Sequence, residues 1–79
     1  METINVIQTN TKTQTPIIIG SFNTSSKGVI LAEELFIKTC RSINDEIEQD
    51  YVEQILDDGV YYAGELRIDL HWSNITIVD

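Results

Sequence analysis

Apolar and polar positions follow three successive patterns along this chain, and each pattern predicts a different element. The first zone contains two β-branched runs, residues 4–7 and 17–19, separated by the polar stretch 9–15 with its four threonines. Val and Ile suit a pleated, half-buried backbone, so the zone reads as a hairpin with a long connection. Pro16 has no N–H to give to a ladder, which places it at the start of the second strand or on a sheet edge.

After Thr24-Ser25-Ser26 the period changes: Val29, Ala32, Phe36, Cys40, Ile43 and Ile47 fall 3, 4, 4, 3 and 4 residues apart, one face of an α-helix. Ser25 or Ser26 is the expected cap. The pattern can run on through Tyr51 to Ile55, but a single helix that long would be a rod of about 45 Å at about 1.5 Å per residue, too long for so small a domain. A break near 42–45 is therefore expected, where Ser42 and Asp45 have capping-box spacing. Gly59 closes the helical zone as a residue that readily turns left-handed.

In the third zone Leu66, Ile68, Leu70 and Trp72 alternate with Glu65, Arg67, Asp69 and His71, the signature of a strand with one buried and one wet face. Ser73-Asn74 is an expected two-residue turn that would pair Trp72 with Ile75 and Leu70 with Ile77. Upstream, a turn at Ala63-Gly64 would set Tyr61 against Leu66 on the inside and Tyr62 beside Glu65 outside. The expected fold is α+β: a small two-layer domain, residues 1–79, in ββ-α(α)-βββ order, with an antiparallel sheet of about five strands and one or two helices on one face.

Charge narrows the function. The chain has 79 residues with 5 Lys+Arg against 13 Asp+Glu, a formal net charge of −8. Residues 1–27 carry +1 (Glu2, Lys12, Lys27) and residues 28–79 carry −9, so the acidity belongs to the second part. A phosphate backbone is bound by Lys and Arg that displace counterions, and five outnumbered cations argue against direct nucleic-acid binding. The same repulsion, and the lack of an apolar run near the roughly 20 residues of a membrane span, argue against a membrane. The first twelve residues lack the basic start and apolar core of a secretory signal, so a cytoplasmic chain is expected, in the host cytoplasm if phage-encoded.

Catalytic chemistry finds little support. His71 is the only histidine, and Asp69 shares its strand face, an arrangement that can orient a general base. Alternation alone explains the placement, and no nucleophile motif accompanies it. Cys40, the single cysteine, falls on the apolar helix face, where thiols are packing rather than reagents. Glu46, Glu48 and Asp50 have the first offsets of a calcium loop, but Tyr51 stands where that loop needs glycine. No enzyme activity, cofactor or metal is expected.

The acids of residues 44–58 number seven with no base among them. On a helical wheel Glu46, Asp50, Glu53 and Asp57 form one stripe opposite Ile47, Tyr51, Val52, Ile55 and Leu56, with carboxylates about 4.5 to 6 Å apart along the axis. Like charges at i,i+4 cost a few tenths of a kcal/mol per pair, and a helix tuned only for solubility would mix signs. Tyr51, Tyr61 and Tyr62 stand near in sequence. Tyr62 is the one expected to face outward, and Tyr51 and Tyr61 are expected in the core. Glu46, Asp50, Glu53, Asp57 and Tyr62 are thus the candidate partner-binding residues, facing a protein with a basic surface such as a nucleic-acid-binding protein.

In size, acidity and absence of catalytic motifs the chain resembles the small inhibitors carried by phages and mobile elements, including anti-CRISPR proteins and uracil-DNA glycosylase inhibitors. The resemblance is compositional and transfers no residue roles. It implies a non-enzymatic inhibitor or modulator occupying a nucleic-acid-binding site. The alternative is a homo-oligomeric structural or assembly module: Ile30, Leu31, Leu35 and Ile37 lie off the main helical stripe, so the first helix needs a second partner, and a homodimer would supply one.

Overall fold

The computed structural model describes residues 3–73. Its elements are β1 (Thr3–Asn10), β2 (Thr15–Asn23), α1 (Ser26–Ile43), α2 (Gln49–Asp58), β3 (Val60–Ala63) and β4 (Leu66–Ser73). The four strands form one antiparallel sheet in the order β2-β1-β4-β3, and both helices cover the same face. This is the α+β architecture the periodicities predict. The fifth strand expected near 75–78 and its Trp72–Ile75 turn lie outside the described residues.

The first hairpin differs from the expected one. The strands reach much further into the polar stretch, and the connection is only residues 11–14. The side-chain oxygen of Asn10 accepts from the backbone N–H groups of Lys12 and Thr13 at 3.0 and 3.2 Å, and Gln14, at φ 56°, completes the turn. Thr9, which looks like a loop residue, is a strand residue on the face away from the helices, a side of β1 it shares with Thr3, Asn5 and Ile7. Pro16 is the second residue of β2, and β2 is an edge strand, as its missing donor requires.

One register irregularity shapes β2. Val6 pairs with Gly20 but Ile7 pairs with Ile18, so Ile19 is the extra residue of a β-bulge. Because side chains alternate with period two, the bulge reverses the parity beyond it, placing Ile17 on the helix side and Ile18 on the open side.

Ser25 caps α1, accepting from the Gly28 N–H at 3.2 Å. Gly28, Ala32, Phe36 and Cys40 form the buried stripe, and Phe36 and Cys40 share one core cluster with Val6 of β1, Ile55 of α2 and Ile68 of β4. Full burial of Phe36 contributes on the order of 1.5–3 kcal/mol. The helical zone breaks as expected, but not through a Ser42–Asp45 capping box. Ser42 instead donates from its hydroxyl to the Thr39 carbonyl inside α1 at 2.6 Å, α1 runs to Ile43, and α2 begins only at Gln49 with no side-chain cap. α2 buries Val52 and Ile55 and ends at Gly59 in the left-handed region, φ 70°.

α1 lies over β2, β1 and β4, whereas α2 packs on β3 at the opposite edge. The β3–β4 turn is Gly64-Glu65, and Tyr61 pairs with Ile68, not Leu66. This slip of two residues from the expected register keeps every side chain on its expected face. At this end of the sheet the Thr11 N–H and hydroxyl both donate to the Glu65 carbonyl, at 2.7 and 2.9 Å, joining the two hairpin tips.

Candidate functional site

α2 is short because the residues before it lack helical hydrogen bonds, and this divides the expected stripe. Asp50, Glu53 and Asp57 are exposed on the side of α2 opposite Val52 and Ile55, in axial steps of about 4.5 and 6 Å. Glu46 does not belong to the helix. It sits in the connection, where its backbone N–H donates to the Asn44 side chain at 3.1 Å. Among the described residues the ion pairs are Lys12–Glu65 and Arg67–Asp69, and neither involves an α2 carboxylate.

Helix electrostatics sharpen this picture. Asp50 in the first turn complements the positive end of the macrodipole, but Asp57 and Asp58 fill the last turn, which has no basic residue. A carboxylate there opposes the dipole by typically 0.3–1 kcal/mol.

The tyrosines divide differently from the expectation. Tyr61 is half-buried on the helix side, and its hydroxyl accepts from Asn44 Nδ2 at 3.1 Å, tying the interhelix connection to β3. Tyr51, expected in the core, is 50% exposed among Asp50, Gln54 and Asp58. Tyr62 is 65% exposed as expected, but it pairs with Arg67 on the open face of the sheet, the reverse side from α2. Tyr51 is thus the tyrosine on the acidic surface. The helix start at Gln49 puts it at the margin of the buried stripe, and that start is not marked by any capping residue.

On the open face Asp69 is engaged by Arg67, Nε to Oδ2 at 2.9 Å, and that bond with the adjacent charge raises the guanidinium pKa further above its ordinary value. Asp69 is therefore committed to Arg67. His71 beside it is exposed. Cys40 is fully buried, and desolvation pushes its thiol up to about 11, the opposite of nucleophile activation. Among the described residues no three of His, Cys, Asp and Glu converge as a metal site would require. A groove of about 470 Å³ separates α1 from α2, floored by Ile37, Val52 and Leu56 and bridged by Arg41 donating to Gln49 Oε1 at 3.2 Å. No helix of the described residues is long and apolar enough to cross a membrane.

No protein-family model, curated protein or solved structure matches the chain.

Proposed function

We propose that this chain is a non-enzymatic binding protein whose acidic surface occupies a basic surface on a protein partner and so inhibits or modulates it. The interface is the exposed side of α2, Asp50, Glu53, Asp57 and Asp58, with Tyr51 at its margin and Glu46 on the approach. The observation that carries this reading is the placement of Asp57 and Asp58 in the last turn of α2, where they oppose the helix dipole, the turn holds no basic residue, and neither is in an ion pair among the described residues. Residues kept at a cost to the fold mark a task other than folding. Tyrosine beside carboxylates supplies rigid contact area at an otherwise charged interface.

The compositional resemblance to phage and mobile-element inhibitors makes a nucleic-acid-binding protein the partner class to test first, with competition against DNA or RNA as the mode of inhibition. Affinity capture on the immobilised chain, at low and high salt, is the direct experiment. A basic nucleic-acid-binding protein retained at low salt, released by high salt and lost with Asp50→Lys/Glu53→Lys supports the reading. Retention that ignores both salt and charge reversal removes it.

A further inference from the structure

β2 carries a second surface that the acidic helix does not explain. It is a nine-residue edge strand, and Ile17, Ile18 and Ile19 in succession are 59%, 53% and 38% exposed. On the helix side the surface continues onto α1 through Leu31, 41% exposed, and through Leu35, whose Cδ2 lies against Gly20. Among the described residues this edge is long, apolar and unpaired, an open template for another strand, and sheets ordinarily guard such edges with charge. Here the guard is Pro16 near one end and the bulge at Ile19, with no charged residue inside the strand: Lys12 and Lys27 lie outside it.

We propose that β2 is the seam of a homodimer, in which two copies pair this strand antiparallel about a two-fold axis and continue the four-stranded sheet into eight strands. Three observations favour a second copy as the occupant. An antiparallel pairing of one strand with itself is self-complementary in backbone donors and acceptors, as a two-fold interface requires. Ile17, Ile18, Ile19 and Leu31 offer on the order of 300–400 Å² of apolar area per copy, about half of the roughly 800 Å² per partner of a standard stable interface, before any backbone ladder is counted.

Charge supplies the third. Each copy carries a net −8, and two such copies repel wherever their acidic surfaces meet. From Thr3 to Gly28 the described residues include no acid at all, and α2 lies over β3 at the far edge of the sheet. The β2 edge is therefore where like-charged copies approach at least electrostatic cost, and it is a poor match for a basic partner. The inference is independent of the proposed function of α2.

Sedimentation velocity on the full chain, from low to high micromolar, tests it together with two variants. The wild type should move from 9.0 kDa toward twice that mass. Ile17→Lys/Ile18→Lys should stay monomeric over the same range with its circular dichroism unchanged, while Asp50→Lys/Glu53→Lys dimerises like the wild type. If the double lysine variant does not fold, the near-neutral Ile18→Cys variant decides: a short bis-maleimide should join it into dimers, with the buried Cys40 unreactive, and should not join Asp50→Cys. A wild type that remains 9.0 kDa at high micromolar concentration overturns the proposal. So does a folded Ile17→Lys/Ile18→Lys variant that still dimerises, or cross-linking from Asp50→Cys as efficient as from Ile18→Cys.

Discussion

Gly28 opens α1 directly against Asn23: a methyl group at position 28 would overlap both the backbone carbonyl oxygen of Asn23 and its side-chain oxygen. The chain leaves β2 and enters α1 within two residues, Thr24 and Ser25, and the same Asn23 side chain accepts from the Ser25 N–H at 3.1 Å. Gly28→Ala is therefore expected to destabilise by about 1–3 kcal/mol through overpacking, although alanine is favoured over glycine inside a helix by about 1 kcal/mol. Urea unfolding checks it. A midpoint equal to or above wild type would show that the turn relaxes freely.

The last turn of α2 predicts the opposite sign. Asp57→Lys replaces a carboxylate that opposes the helix dipole with an ammonium that complements it, at an exposed site. A gain of about 0.3–1 kcal/mol in unfolding free energy is expected at low ionic strength, shrinking with added salt. Partner binding should weaken in the same variant, and that pairing of better folding with poorer binding is what an interface residue produces.

Tyr51 and Tyr62 separate the two faces of the sheet. If α2 forms the interface, Tyr51→Ala should weaken binding of the captured partner by about 1–2 kcal/mol, whereas Tyr62→Ala on the reverse face should change it by less than about 0.5 kcal/mol. Titration calorimetry with each variant distinguishes them. A larger loss from Tyr62→Ala would move the interface to the open face, beside Arg67 and His71.

Cys40 makes the fold sensitive to alkaline pH. Its thiol titrates at about 11 in the folded chain, above the roughly 8.5 of an exposed cysteine. The neutral thiol's contribution to stability is thus complete below about pH 8.5, and it is lost as pH rises toward 11. Cys40→Ala should flatten the decline of stability over that window. In the native state the thiol should react with maleimide only through opening of the core, at a rate that rises with denaturant.

The sequence made the helices legible because their signals are local. Ser25, the 3-and-4 spacing through Ala32, Phe36 and Cys40, and Gly59 each act within one or two turns, and each stands where its chemistry requires. The sheet was legible in its faces but not in its extent or order. Thr9 reads as loop because a strand with one uncovered face carries polar residues at alternate positions, and Thr15 because it opens an edge strand at its exposed end; only the pairing of β1 between β2 and β4 reveals them as strand. The candidate site suffered most from nonlocal order. Alternation turns Tyr62 outward, which with both helices on one face is away from α2 despite its nearness in sequence, while the uncapped start at Gln49 hid both the exposure of Tyr51 and the exclusion of Glu46 from the helix.

The position of α2 over β3, at the edge opposite β2, governs what pairing through β2 does to the acidic surfaces. In the proposed dimer they would lie at the two extremities of an eight-stranded sheet, whose outer strands would stand about 34 Å apart at about 4.8 Å per strand. Such a particle would be bivalent: one end would anchor on a basic site while the other was held at a fixed reach from it. Two sites at that spacing on one target, or on neighbouring subunits of an assembly, would be gripped with an avidity neither end has alone, whereas an isolated site would gain nothing from the second copy. Geometry of the target, rather than the strength of any single contact, would then decide which proteins the chain holds.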